Sequence, residues 1–263
     1  MNNSFPQTFI AMTTPLRIVR LAIALALGGI LFGGPTAPLQ AAEVKVAVAA
    51  NFTAPMKEIA RQFATDTGHQ AIVSYGSTGK LYAQILHGAP FDVFLAADQE
   101  RPALIEQAAT GSSRFTYATG RLVLWSSDPG LLDGTADALD STDIERLAIA
   151  NPKTAPYGIG AVQIIEALQL GKRLENKIVR GDNIAQTYQF VMTGNAQAGF
   201  VALSQVADDT KGSRWIPPQS MYDPIRQDAI LLAPGNTTAE AFIAYLKGDS
   251  AKETIRRYGY AVD

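Results

Sequence analysis

The chain contains no cysteine and only two histidines, His69 and His87. Without cysteine there is no disulfide framework, no thiolate metal site and no lipid attachment through an N-terminal thioether. Both histidines fall in polar, helix-end contexts and no carboxylate cluster has metal-ligand spacing, so no metal centre is expected. Charge of one sign is missing as well. Lysine and arginine number 22 against 24 acidic residues, for a formal net charge of −2. The signs are well mixed, with no basic block and no aromatic–basic interleaving, which excludes an evident nucleic-acid surface. No internal repeat stands out, and beyond residue 40 no stretch is apolar for long enough to cross a bilayer.

What is present begins with a leader. Arg17 and Arg20 precede an uncharged run from Leu21 to Phe32, the length of a signal-peptide core and too short for a membrane span. Pro35 and Leu39-Gln40-Ala41-Ala42 follow, ahead of the charged Glu43. Residues 1–41 are therefore expected to be a cleaved signal peptide. With no lipid anchor, retention outside the cytoplasm requires an outer membrane, so the expected location is the periplasm. Roughly 220 residues then remain, enough for one large domain or two modest ones, with ordinary apolar content.

The mature chain alternates β-branched runs with amphipathic stretches. Val44 to Ala49 reads as a buried strand, Thr53 as the N-cap of a helix ending at Gly68, and Gln70 to Ser74 as a second strand. A helix from Leu81 to His87, a strand at Val93 to Ala96 and a helix capped by Asp98 follow. Further strands are expected at Leu122 to Trp125, Leu147 to Ala150, Lys177 to Val179, Gly199 to Leu203 and Ala229 to Ala233. The helices among them run from Gly158 to Leu168, Ile184 to Met192, Thr238 to Leu246 and Ser250 to Tyr258. This order predicts an α/β fold with mixed, mostly parallel sheets, helices on both faces and right-handed crossovers. It divides best into two lobes, residues 42–122 with 228–263, and residues 123–227.

In open α/β sheets ligands bind beyond the carboxyl ends of the strands, where helix N-termini present free N–H groups. The junctions here are Ala50-Asn51-Phe52-Thr53, Gly76-Ser77-Thr78-Gly79, Asn151 with Ala155-Pro156-Tyr157-Gly158, and Gly181-Asp182-Asn183-Ile184. Nearly all are glycines or short neutral donors; charge enters only through Asp182, with Lys80 and Lys153 nearby. Such residues are also ordinary caps and turns. Four together suit a small dianion held by converging N–H and O–H groups and helix dipoles. A cage without acceptors disfavours a protonated anion such as hydrogen phosphate, whose O–H would stay unsatisfied, unless Asp182 turns inward.

Catalytic motifs fare poorly. Ser77-Thr78-Gly79-Lys80 fits S-x-x-K, but no S-D-N accompanies it and Lys153-Thr154-Ala155 only approaches K-T-G. A serine acyl-enzyme using Ser77 and Lys80 is the minor alternative. The same stretch is no P-loop, since Ser74 and Leu81 occupy required positions, and there is no G-x-S-x-G elbow.

At these junctions the sequence resembles the periplasmic molybdate-binding proteins of ABC transporters. The similarity is carried by Ala49 to Thr53, Ser74 to Gly79, Gly88-Ala89-Pro90-Phe91-Asp92-Val93-Phe94-Leu95-Ala96-Ala97-Asp98, Asn151-Pro152 with Ala155 to Gly158, Gly199 to Leu203, Tyr245 to Gly248, and Tyr258-Gly259-Tyr260. The resemblance implies a two-lobed type II periplasmic binding fold with the ligand cleft between the lobes. It implies capture of molybdate or tungstate for a membrane permease, with a sulfate or other oxyanion carrier as the alternative. It also implies no catalysis, no cofactor beyond the ligand and no direct metal ligand. By the same resemblance the anion is held by Asn51 (with the Ala50 N–H), Thr78 with Ser77 adjacent, Tyr157 and Ile184. Side-chain donation is expected from Asn51 and Thr78, main-chain donation from Tyr157 and Ile184. Many members have Ser where this chain has Asn51, and some add a tyrosine hydroxyl where Ala202 stands, so a fifth donor is missing or comes from elsewhere. A monomer is expected.

Overall fold

The computed structural model describes residues 41–108 and 113–262. The expected leader, apart from Ala41, lies outside the described residues. Strand β1 (Glu43–Ala49) is wholly buried from Val46 onward, because it is flanked by strands on both sides and covered on both faces. That burial is why it reads as an apolar run. A 3-10 turn (Ala50–Phe52) leads directly into α1 (Thr53–Thr67), which Gly68 terminates at φ 75°. Thr53 is the first helical residue and not the N-cap: its hydroxyl donates to the Ala50 carbonyl at 2.8 Å. Next come β2 (Gln70–Gly76), α2 (Thr78–Leu86), β3 (Val93–Leu95), α3 (Glu100–Ala108) and β4 (Arg114–Gly120).

Arg121 alone separates β4 from β5 (Leu122–Ser126). The chain then forms β6 (Leu147–Ala150), α4 (Pro156–Ala167), α5 (Gly171–Leu174), β7 (Ile178–Gly181), α6 (Ile184–Met192), β8 (Ala198–Ala202) and β9 (Ser213–Trp215). After the Pro217-Pro218 loop it continues as β10 (Ile225–Leu231), α7 (Thr237–Lys247) and α8 (Asp249–Arg257). Helix α4 starts two residues before the expected Gly158, with Pro156 in its first turn, where the missing N–H costs nothing. Likewise α2 starts at Thr78, three residues before Leu81, and β10 starts at Ile225, four residues before Ala229.

Two five-stranded sheets result, ordered β2-β1-β3-β10-β4 and β7-β6-β8-β5-β9. Two lobes with α/β sheets were expected, but the sheets move the expected boundaries: Leu122 belongs to the second sheet, and Ile225 to Gln227 belong to the first. In each sheet the first three strands run parallel, and the last two pairings are antiparallel. The sheets are therefore mixed in equal parts. The antiparallel partners are the strands at the crossings, β4 and β10 in one sheet, β5 and β9 in the other, because each enters or leaves its lobe there.

Packing fixes where the helix starts sit. In the first lobe Phe63 and Phe242 meet edge to face, 5.3 Å apart at 89°, and both are fully buried. Burying each contributes about 1.5–3 kcal/mol. In the second lobe a Cβ on Gly158 would lie 2.2 Å from the Ala150 carbonyl oxygen. Only glycine lets α4 begin that close to the end of β6.

Candidate ligand-binding site

The carboxyl ends of β1, β2 and β3 in one sheet face those of β6 and β7 in the other, around a small cavity. Its non-atom space, mouth included, is about 200 Å³. Ala49, Ala50, Asn51, Gly76, Ser77, Thr78 and Ala97 line it from one lobe; Ala155, Pro156, Tyr157, Asn183 and Ile184 line it from the other. All six residues expected from sequence, Ala50, Asn51, Ser77, Thr78, Tyr157 and Ile184, are thus brought together. None of the lining residues is charged.

Four helix starts contribute. The 3-10 turn that leads into α1 begins at Ala50, α2 at Thr78, α4 at Pro156 and α6 at Ile184. The first N–H groups of a helix have no intrahelical acceptor. In α4, Pro156 has no N–H, so that of Tyr157 is the first available. In α6 the Asn183 side chain accepts from the N–H groups of Ala185 (2.9 Å) and Gln186 (3.0 Å), the positions a cap satisfies. The N–H of Ile184, the first residue of α6, has no acceptor within the helix.

Two hydroxyl side chains, Ser77 and Thr78, line the cavity beside these helix starts. Thr78 Oγ1 accepts from the Ala97 N–H at 3.0 Å, which leaves its own proton to point elsewhere. Ser77 is only 3% exposed, and its Oγ has no hydrogen-bond partner among the described residues. A buried hydroxyl left unpaired costs about 1–3 kcal/mol. An acceptor placed in the cavity would relieve that cost.

Asn51 departs from expectation. Its amide donates to Gln227 Oε1 (2.8 Å) and to the Tyr260 hydroxyl (3.0 Å), which uses both hydrogens. Side-chain donation to a ligand is therefore closed to it, and the donors it and Ala50 offer are main-chain N–H groups. The carbonyl of Asn51 accepts from the hydroxyls of Ser204 (2.9 Å) and Tyr260 (2.8 Å). Gln227 in turn donates to the Tyr157 hydroxyl (3.2 Å) and accepts from Tyr117 (2.9 Å). Burial pushes the phenols of Tyr117 and Tyr157 well above the usual tyrosine range and that of Tyr260 up to about 12, so this network is neutral. Gln227, Ser204, Tyr117 and Tyr260 escaped the sequence reading because they lie on strands, on a short turn and near the C-terminus, far from any junction motif.

The lobes touch at the cavity rim. The Gly79 N–H donates to the Thr154 carbonyl at 2.9 Å, and a Cβ on Gly79 would stand 3.1 Å from Thr154 Cα. Lys80 Nζ pairs with Asp182 Oδ2 at 2.9 Å, with side chains 52% and 64% exposed. Asp182 is thus turned outward and gives the cavity no acceptor. Lys80 pairs with Asp182 and no hydrogen bond joins it to Ser77 Oγ, so the structure does not form the Ser77–Lys80 pair of the acyl-enzyme alternative. Ala202 lies outside the cavity lining, and its N–H donates to Gln205 Oε1 at 2.9 Å. His69 and His87 are also outside it, and no group of three or more metal-ligating side chains occurs among the described residues.

Comparison with known proteins places this geometry. The model for the family described as bacterial extracellular solute-binding protein matches residues 44–261. The molybdate-binding protein of Azotobacter vinelandii is 52% identical over 250 residues, covering 92% of this chain and 97% of its own. That of Rhodobacter capsulatus is 47% identical over 263 residues, covering 98% and 99%. The solved periplasmic molybdate-binding protein of Azotobacter vinelandii superposes with a TM-score of 0.80 at 39% identity, covering 84% of this chain and 99% of that one.

Proposed function

The chain belongs to the bacterial extracellular solute-binding protein family, and on that premise we propose that it captures molybdate for a membrane permease of an ABC importer. The observation that carries this reading is an uncharged cavity at four helix starts, in which the buried Ser77 hydroxyl has no protein partner. A fully deprotonated tetrahedral dianion supplies acceptors in every direction. The Ser77 and Thr78 hydroxyls, the main-chain N–H groups of Ala50 and Asn51, and those of Tyr157 and Ile184 are the proposed donors. Ser77 then provides the donor that Ala202 lacks. The charge is balanced by the positive ends of the helices, not by an arginine or lysine. Closure of the two lobes over the ion is a hinge motion about the β4–β5 and β9–β10 crossings.

Tungstate, nearly equal in size and charge, fits the same donors; sulfate, with shorter bonds to oxygen, leaves some of them unreached. Hydrogen phosphate brings an O–H that finds no acceptor once Asp182 faces outward. The work is done in the periplasm by a monomer, and no covalent step is involved. Thermal denaturation of anion-free protein tests the reading. Molybdate at 100 times its dissociation constant stabilises the folded state by about 2.7 kcal/mol and raises the midpoint. A larger rise with phosphate or sulfate than with molybdate overturns it.

A further inference from the structure

Gln227 belongs to neither the cavity lining nor any junction motif, yet its side chain is fully buried and joins the two lobes. Its Oε1 accepts from Asn51 on the first-lobe side, and its Nε2 donates to the Tyr157 hydroxyl on the second-lobe side. Two independent features of the chain make room for this bridge. The pairing of β10 with β4 shifts register between Gln227 and Asp228, with Tyr117 of β4 as the extra residue, the kind of bulge that re-aims a side chain. On the neighbouring strand, a Cβ on Gly120 would stand 2.0 Å from the Tyr157 hydroxyl and 2.6 Å from Gln227 Nε2. The space taken by the bridge therefore exists only because β4 ends in glycine.

We infer that Gln227 is a positioning residue that holds Asn51 and Tyr157 in their closed-lobe arrangement and thereby sets how slowly the bound anion leaves. It rests on the molybdate reading above. Gln227 does not line the cavity; it acts through Asn51 and Tyr157, two lining residues whose main-chain N–H groups are the proposed donors. Opening the lobes separates Tyr157 from Gln227 and leaves a buried amide without its acceptor. That cost falls on release and not on capture, because the capturing form is already open.

The test is a double-mutant cycle of Gln227→Met and Tyr157→Phe, read as separate association and dissociation rates for molybdate. Met keeps the side-chain length without the amide, and Phe keeps the main-chain N–H without the hydroxyl. Each single variant is expected to release molybdate about tenfold faster, the kinetic equivalent of one buried hydrogen bond, with association within about twofold of the original. The double variant is expected to release more slowly than the product of the two single effects, since both remove the Gln227–Tyr157 contact, while Gln227→Met also removes the acceptor of Asn51 and Tyr117. Unchanged dissociation in both single variants, or rates that multiply in the double variant, overturns the inference. Should Gln227→Met fail to fold, Tyr157→Phe alone decides, because its expected signature is a change confined to dissociation. Absence of molybdate binding by the unaltered protein is a different result, and it defeats the functional reading instead.

Discussion

Replacing Ser77 by alanine separates a ligand-binding hydroxyl from a structural one. The side chain is 3% exposed and its Oγ has no partner among the described residues. In the anion-free protein, deletion therefore removes a buried, unsatisfied group and breaks no hydrogen bond. Its effect on folding stability is expected to lie between neutral and about 1 kcal/mol stabilising. With the anion bound, the same deletion removes a hydrogen bond to a charged acceptor, worth about 1.5–3 kcal/mol. Affinity should fall by about 10- to 150-fold. Urea denaturation without anion measures the first quantity and calorimetric titration with molybdate the second. The two effects have opposite signs, which is unusual for a buried polar deletion. Loss of more than about 1 kcal/mol of anion-free stability, together with unchanged affinity, would show that Ser77 serves the fold and would refute the reasoning.

Other perturbations have equally definite outcomes. Gly120→Ala puts a methyl group 2.0 Å from the Tyr157 hydroxyl; expelling that ring should cost about 2 kcal/mol or more by thermal denaturation, and an unchanged midpoint would contradict the packing. Lys80→Met removes an ion pair more than half exposed on both sides; molybdate dissociation should quicken by at most about fivefold and the difference should vanish near 0.5 M salt, whereas a salt-independent change would point to another role for Lys80. The Tyr260 phenol is raised from 10.0 to about 12 by burial. Below pH 10 its contribution is fully present; as pH rises from 10 through about 12 the unfolded chain ionises first, and stability falls by about 1.4 kcal/mol per pH unit. Urea midpoints at several alkaline pH values should show this decline, reduced in Tyr260→Phe; equal slopes in both proteins would exclude the assignment.

Much of the fold and site could be read from the chain because the relevant signals are local. The apolar runs of β1, β6 and β8, and the Asn183 cap before Ile184, identify strand ends and helix starts within a few residues. Since ligands lie beyond such ends, the lining residues followed. Strand β4 was missed because Arg-Phe-Thr-Tyr-Ala-Thr-Gly carries as many polar as apolar positions, and its apolar ones are held by partners distant in sequence. Strand β9 is three residues long and paired only at an edge. The role of Asn51 was misjudged for a related reason. Its amide is consumed by Gln227 and Tyr260, 176 and 209 residues away, and no local pattern announces those contacts. Spacing shows which residues reach a junction; long-range packing decides which of their atoms remain free.

The central claim is that a neutral cage of hydroxyls and helix-start N–H groups holds a molybdate dianion between the lobes. Anomalous diffraction from crystals of the protein grown with molybdate measures this directly. One molybdenum peak is predicted within the cavity, with ligand oxygens at hydrogen-bond distance from Ser77 Oγ, Thr78 Oγ1 and the N–H groups of Tyr157 and Ile184. A peak at any other site, or an anion held through Lys80 or another cation, would contradict it.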